Sequence, residues 1–370
     1  MILDDPQKAA AYIQRRRAET SRLADWGLYD TLMVTCMKNI RYLTGFSGTA
    51  GVLLLAKDEA WLITDFRYVT QASEQTTGVT IHEAKDSQAA VEQLSSRLGI
   101  KSIGYEADHI TVSSLGNLES KLGGIRLEPT EGVVEQARLV KDVAELEALD
   151  RLVDMLGESI EFARSLMRPG ALERDIAIEL ESALRKKGAD GPAFEMIVAS
   201  GARGALPHGV ASAKAVEKGD AVTLDWGARG WGYHSDNTRT FLSPGGMRMI
   251  AEIYKVVLEA NEAAIEAVRP GVPFNQVDDV ARSVIARAGY GDYFGHGTGH
   301  GVGLDIHEEP KVSTASLTDA RPGMVFTIEP GIYMPGVGGV RIEDMVLVTQ
   351  TGRRVMSERI PKSQESVVLA

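Results

Sequence analysis

Hydrophobic and polar positions in the first 130 residues follow two alternating patterns. Short apolar runs predict strands, and the stretches of helical spacing between them predict helices. The predicted strands include 31–35, 52–56 and 102–108, and the predicted helices include 7–25, 87–98 and 112–121. Strands that alternate with helices of this length are typical of a small α/β domain.

A longer amphipathic helix follows, from about residue 143 to residue 166, and an Arg-Pro-Gly sequence ends it. The stretch before this helix contains Pro, Gly and a change in charge near 130–140. We therefore expect an N-terminal α/β domain over 1–135 and a second domain over 136–370.

The second domain contains a weak internal repeat. Residues 167–188 and 268–289 align without gaps, and in both an Arg-Pro-Gly sequence precedes an amphipathic helix that ends at Gly. A duplicated helix-and-sheet unit would place two similar halves around a pseudo-twofold axis, with a cleft between them. A chance match is the alternative, since Arg-Pro-Gly before a helix is common. We favour duplication.

Composition is that of an ordinary globular protein with more than one domain. The 370 residues exceed the usual size of a single core, and the apolar fraction of 44% and charged fraction of 25% are typical. A formal charge of −11 argues against nucleic-acid binding, which needs a basic face. No apolar run reaches the length of a membrane span, so we expect no membrane partner.

The single cysteine, Cys36, excludes an intramolecular disulfide. The N-terminal residues lack the apolar core of a signal peptide. Both observations predict a cytoplasmic protein.

The segment FGHGTGHGVGLDIHEEP, residues 294–310, contains His296, His300 and His307. Its glycines allow neighbouring backbone or a ligand to approach closely. The Gly-Thr-Gly between the first two histidines argues against the helix of an HExxH zinc site. No preceding strand with an acidic partner downstream supports a dinucleotide-binding GxGxxG.

Two aspartates flank a predicted hairpin in DWGARGWGYHSD. If Gly230 and Trp231 form a two-residue loop, Asp225 and Asp236 face each other across the ladder, with Cβ atoms roughly 4.5–5.5 Å apart. Like charges in such positions repel unless a cation lies between them. The alternative is a solvated pair on an exposed hairpin, and the apolar neighbours of Asp225 argue against it.

Two glutamates lie in apolar, strand-like segments, Glu329 in VFTIEPGIY and Glu343 in GVRIEDMVLV. Arg341 precedes Glu343 by two residues and shares its strand face. This arginine either orients metal-binding carboxylates or forms a structural ion pair with Glu343. The four carboxylates and one imidazole together supply the ligands that a two-metal hydrolytic site needs.

Five segments resemble blocks of the creatinase/prolidase/aminopeptidase P family of metallopeptidases, family M24B, whose catalytic domain has a pita-bread α+β fold. In the family's order they are LPHG, LDWGARGWGYHSDNTRTF, GHGTGHGVGLDIHEEP, TIEPGIY and GVRIEDM. The resemblance implies a creatinase-like N-terminal domain that helps to form a homodimer. Creatine-hydrolysing relatives lack the metal ligands, and their presence here argues against that branch.

The resemblance also implies a role for each candidate residue. The implied metal ligands are Asp225, Asp236, His300, Glu329 and Glu343. Asp236 and Glu343 would bridge two ions. The residues implied to bind substrate and stabilise the tetrahedral intermediate are His208, His307 and Arg341, with His296 as a further histidine near the site.

The chemistry agrees with these residues. Glu329 would take a proton from the attacking water and deliver it to the leaving nitrogen. His307 or His208 would donate to the oxyanion as charge develops. An oxygen-rich ligand set favours two Mn²⁺ ions, with Co²⁺ and Zn²⁺ as alternatives.

We therefore expect an Xaa-Pro aminopeptidase or an Xaa-Pro dipeptidase that acts on short peptides with proline in the second position. The sequence leaves open which of the two it is. One alternative is a broader or methionine-type aminopeptidase on the same fold. Another is a non-catalytic binding protein, which the intact ligand set disfavours.

Overall fold

A computed structural model describes residues 5–57 and 59–369 of the chain. The chain forms two compact units, Met1–Arg138 and Leu139–Ala370, called the first and second units below. Among the described residues, no helix is long and apolar enough to cross a membrane. The predicted domain boundary after residue 135 stays a prediction, because it concerns domains that fold on their own.

The first unit is an α/β fold built on one mixed sheet. Its strands are β1 Thr31–Val34, β2 Val52–Leu55, β3 Ala60–Thr64, β4 Thr80–Glu83, β5 Ser102–Glu106 and β6 Arg126–Thr130, in the order β4-β3-β2-β1-β5-β6. Its helices are α1 Pro6–Leu23, α2 Met37–Thr44, α3 Val69–Gln75, α4 Ser87–Leu98, α5 Val112–Lys121 and α6 Val133–Arg138. Met33 and Ile103 of the sheet share a buried core with Leu94 of α4. The predicted α/β class is confirmed for this unit.

The second unit contains small antiparallel sheets and four long helices, α7 Val143–Leu166, α8 Glu173–Lys186, α9 Arg248–Ala267 and α10 Phe274–Arg287. The strands of its first half are β7 Gly191–Pro192, β8 Ile197–Ser200, β9 Val222–Trp226, β10 Ala228–Gly230, β11 Tyr233–His234 and β12 Asn237–Phe241. The strands of its second half are β13 Gly299–Gly301, β14 Glu308–Val312, β15 Val325–Ile328, β16 Gly331–Met334, β17 Gly338–Arg341, β18 Asp344–Val348 and β19 Arg353–Val355. The sheets have the orders β11-β10-β7, β12-β9-β8, β14-β13-β15-β18-β19 and β16-β17.

The two halves of the second unit repeat each other. Helices α8 and α10 begin and end 101 residues apart, and the helices before them, α7 and α9, also end 101 residues apart. The turns before α8 and α10 repeat a backbone hydrogen bond, from Gly170 N–H to Val216 O in one half and from Gly271 N–H to Ala320 O in the other. The predicted internal repeat is confirmed.

The hairpin between β10 and β11 has a different register from the predicted one. Gly230 pairs with Tyr233, so the loop is Trp231–Gly232 rather than Gly230–Trp231. Both loop residues have positive φ, 53° and 84°, as a tight two-residue hairpin turn requires. Asp225 therefore pairs with Thr238, and the prediction that it faces Asp236 directly was wrong.

Candidate metal centre

One cavity of the second unit, of about 960 Å³, is lined by every side chain that the sequence analysis selected. These are His208, Asp225, Asp236, His296, His300, His307, Glu329, Arg341 and Glu343. They come from both halves of the repeat. The structure thus brings together residues that lie up to 135 positions apart in the chain.

Three of these side chains form a compact group of ligand atoms. Atoms of Asp236, His300 and Glu343 all lie within 4.8 Å of one another. His300 Nε2 is 3.6 Å from Asp236 Oδ2 and 3.3 Å from Glu329 Oε1. Nδ1 of His300 is 3.0 Å from the Gly301 carbonyl oxygen, and donation from Nδ1 to that oxygen leaves the Nε2 lone pair facing the carboxylates.

Three carboxylate oxygens of the site are buried without a hydrogen-bond partner among the described residues. They are Asp225 Oδ1, Asp236 Oδ1 and Glu343 Oε1. A buried acceptor that lacks a donor is costly, and a buried anion more so. Divalent cations with oxygen ligands fit these oxygens, so the residues present agree with a metal centre.

Burial and mutual repulsion both act on the acidic groups. Burial raises the pKa of Asp236 well above its usual value, and the charges of Glu343 and Asp225 raise it further. Burial is also the first cause of the raised pKa values of Glu343 and Glu329. The raised pKa values of Asp236, Glu343 and Glu329 favour protonation of these groups, and a bound cation would compete with the protons.

Glycines allow the histidine strand β13 to lie close to its neighbours. A Cβ atom at Gly299 would clash with the Thr327 carbonyl oxygen, and one at Gly301 would clash with the Glu309 carbonyl oxygen. Only glycine fits such close approaches. The glycine-rich spacing around His300 is therefore a packing requirement of the site.

Arg341 binds Asp225 instead of the predicted alternative partner, Glu343. Its Nη2 atom donates to Asp225 Oδ2 at 2.7 Å, and its Nη1 atom donates to the Pro207 carbonyl oxygen at 3.0 Å. The alternative prediction of an ion pair between Arg341 and Glu343 was wrong, because strand β17 ends at Arg341. Strand alternation therefore does not extend to Glu343.

Tyr333 also lines the cavity, and the sequence analysis did not select it. Its hydroxyl lies 2.9 Å from His296 Nε2 and accepts from Arg341 NH1 at 3.1 Å. Burial is the main cause that lowers the pKa of His296. The signal was present in the block TIEPGIY, where Tyr333 follows Glu329 by four residues.

The remaining two histidines approach the site from loops. His307 packs edge to face against His300, with 4.4 Å between ring centroids. Burial lowers the pKa of His307, and the charges of His300 and His208 lower it further. The lowered pKa favours the neutral imidazole of His307, which has one N–H to donate.

The first unit contains another group of possible ligands, Glu106, His109 and Glu135. There the amide of Asn39 donates to Glu106 Oε1 and to Glu135 Oε1, both at 2.6 Å. Arg138 NH1 donates to Asn39 Oδ1 at 2.8 Å and fixes the orientation of that amide. Hydrogen bonds thus satisfy this group, in contrast to the unpartnered oxygens of the second unit.

Comparison with known proteins gives two family matches. Residues 147–350 match the model of metallopeptidase family M24, and residues 15–140 match the creatinase/prolidase N-terminal domain. An uncharacterized peptidase of Bacillus subtilis is 42% identical over 330 residues, covering 89% of this chain and 93% of that protein.

Two solved structures are similar over nearly the whole chain. An Xaa-Pro dipeptidase from Bacillus anthracis has a TM-score of 0.91 at 42% identity, covering 98% of this chain and 100% of that one. An X-Pro aminopeptidase from Thermotoga maritima has a TM-score of 0.86 at 35% identity, covering 90% of this chain and 97% of that one.

Proposed function

This chain belongs to metallopeptidase family M24, and we propose that it hydrolyses the bond between the first residue of a short peptide and a proline in the second position. It is a metal-dependent Xaa-Pro exopeptidase. The observation that carries this function is the set of unpartnered carboxylate oxygens on Asp225, Asp236 and Glu343. Relatives named Xaa-Pro dipeptidase and X-Pro aminopeptidase support the substrate class.

The ligands in this proposal are Asp225, Asp236, His300, Glu329 and Glu343, with Asp236 and Glu343 as the bridging pair. Two divalent ions held there would lower the pKa of a water and polarise the scissile carbonyl. Thr238 Oγ1 donates to Glu343 Oε2 at 2.8 Å and orients one bridging carboxylate. Arg341 orients Asp225 in the same way.

Glu329 is the proposed base, which takes a proton from the attacking water and returns it to the leaving nitrogen. Thr327 Oγ1 donates to Glu329 Oε1 at 3.0 Å, so this carboxylate has a fixed direction. His307 and His208 are the proposed donors to the oxyanion. His296, held between the Gly297 carbonyl and Tyr333, is the proposed further contact for substrate.

Mn²⁺ is the proposed metal, because four carboxylates accompany one imidazole. The test is hydrolysis of Ala-Pro by metal-free protein before and after addition of Mn²⁺, Co²⁺ or Zn²⁺. We expect turnover only with a divalent ion, and the highest turnover with Mn²⁺. If neither metal nor chelator changes the activity, and the protein contains no metal, the metallopeptidase assignment fails.

The length of the substrate is tested by comparing Ala-Pro with Ala-Pro-Ala. Lys311 lines the cavity on β14, where its ammonium suits the terminal carboxylate of a dipeptide. Cleavage of the dipeptide alone would identify a dipeptidase, and cleavage of the tripeptide an aminopeptidase. If Met-Ala-Ser is cut and neither proline peptide is, the broader aminopeptidase replaces this proposal.

We also propose a homodimer in the cytoplasm. The match of residues 15–140 to the creatinase/prolidase N-terminal domain supports the homodimer, since the resemblance assigns dimer contacts to that domain. The free cysteine Cys36 suits a reducing compartment. Light scattering after gel filtration should give twice the chain mass of 39.9 kDa.

A further inference from the structure

The segment from Gly303 to Glu308 carries His307 into the cavity. A buried ion pair holds one end of this segment. Lys141, which precedes α7, donates from Nζ to Glu308 Oε1 at 2.8 Å. The Lys141 side chain is 1% exposed and that of Glu308 is 10% exposed, so the two charges are largely removed from water.

The carboxylate of Glu308 also folds the segment around itself. Its Oε2 atom accepts the N–H of Asp305 at 3.2 Å. Gly303 lies against the same carboxylate, since a Cβ there would come 2.5 Å from Glu308 Oε1. The carboxylate that Lys141 contacts therefore also contacts Asp305 and lies against Gly303, and it holds the segment together.

The other end of the segment is connected to the same turn of α7. Glu145, which forms a capping box with Asp142 at the start of α7, accepts from the Tyr233 hydroxyl at 3.1 Å. The next residue, His234, donates its N–H to the Gly303 carbonyl oxygen at 2.9 Å. Lys141 thus contacts Glu308 directly, and Glu145 is connected to Gly303 through Tyr233 and His234.

We propose that the Lys141–Glu308 ion pair positions His307 for catalysis, with Lys141 as a positioning residue that acts through Glu308. The inference rests on the proposed function, in which His307 donates to the oxyanion. Without Lys141 the largely buried carboxylate of Glu308 loses the ammonium that lies 2.8 Å from its Oε1, so its burial costs more and it turns towards water. The adjacent His307 moves with it, and a displacement of about 1 Å costs a catalytic group much of its effect.

The first test is Lys141→Met, which keeps the length of the side chain and removes its charge. We expect kcat to fall about 10- to 100-fold with KM nearly unchanged. The variant Lys141→Arg, which keeps the positive charge, should retain most of the wild-type kcat. The matched control is Arg354→Met, which removes an ion pair with Asp150 of α7 and should change neither kcat nor KM. If Lys141→Met does not fold, the double variant Lys141→Met/Glu308→Gln, which removes both charges of the pair, takes its place.

Two further measurements separate positioning from general damage. In a His307→Ala background, Lys141→Met should cause no further loss of kcat, because its effect passes through His307. An equal loss in both backgrounds would overturn the proposal. Hydrogen exchange of the metal-free protein should be faster over residues 303–308 in Lys141→Met than in wild type or Arg354→Met.

Unchanged exchange of that segment would also overturn the proposal. Turnover of Ala-Pro by the wild type is measured first. Its absence would count against the proposed function, and the exchange experiment would still decide whether Lys141 holds the segment.

Discussion

At the scale of the residue, Asp236 is the side chain whose pKa is raised by the charges of several acidic groups of the site. Burial and the charges of Glu343, Asp225 and Glu329 all raise its pKa. A carboxylate in this position is unfavourable without a cation. For the same reason a divalent ion held there would be favourable, since it would restore the interactions that water provided before folding.

Asp236→Ala should abolish activity and leave the fold intact. The substitution removes a proposed bridging ligand, and it also removes a buried oxygen, Oδ1, that has no hydrogen-bond partner among the described residues. We therefore expect turnover of Ala-Pro at saturating Mn²⁺ to fall at least about 1,000-fold, without a lower unfolding temperature for the metal-free protein. Asp279→Ala, at an exposed position of α10, is the control. Near-normal turnover of Asp236→Ala would refute the bridging role.

The stabilisation by Mn²⁺ should increase with pH. The pKa values of Asp236 and Glu343 are raised from ordinary values of 3.8 and 4.5, with burial as the first cause. Their contribution to stability is therefore full below those ordinary values and is lost as the pH rises through the raised ones. We expect Mn²⁺ to replace the protons and to cancel this loss.

The measurement is the rise in unfolding temperature on adding Mn²⁺, taken at about pH 5 and about pH 8. We expect a clearly larger rise at the higher pH. The variant Asp236→Asn, which cannot ionise, should show a weaker dependence. An equal rise at both pH values in the wild type would contradict the expected proton displacement.

At the scale of the element, the sequence predicts helix ends well and turn geometry less well. Helix α4 has its predicted bounds because Asp86 caps its first turn and Gly99 adopts a left-handed conformation after its last. The hairpin register depends on Trp231, whose positive φ has no signal in the sequence because bulky residues rarely adopt it. The predicted facing of Asp225 and Asp236 failed for that reason.

Glycines of one segment should differ sharply in their tolerance of a methyl group. Gly301→Ala places a Cβ against the Glu309 carbonyl oxygen, where backbone must move. We expect it to destabilise the protein by about 1–3 kcal/mol, as overpacked sites do. Apart from its chain neighbours, no heavy atom of the described residues lies within 4 Å of a Cβ added at Gly295, so Gly295→Ala should be neutral. Chemical denaturation of both variants measures their free energies of unfolding. Equal values would contradict the close approach at Gly301.

At the scale of the whole molecule, the site depends on distances that no local pattern contains. Its carboxylates and histidines lie in strands and connecting segments of both repeats. Their order in the chain does not indicate that they meet. The resemblance to a known family supplied that information. Tyr333 was missed since a tyrosine in a strand is usually a packing residue, and only its contacts with His296 and Arg341 distinguish it.

The join between domains is testable by the stability of N-terminal fragments. Residues after 135 still make buried contacts within the first unit: the Tyr42 hydroxyl donates to the Ala137 carbonyl, and Arg138 donates to Asn39. A fragment that ends at residue 135 leaves both polar groups without these partners, at about 1–3 kcal/mol each. We therefore propose that fragment 1–138 folds and is more stable in urea than fragment 1–135. The control is Arg138→Met in the longer fragment, which should lose part of the difference. Equal midpoints for the two fragments would place the join at or before residue 135.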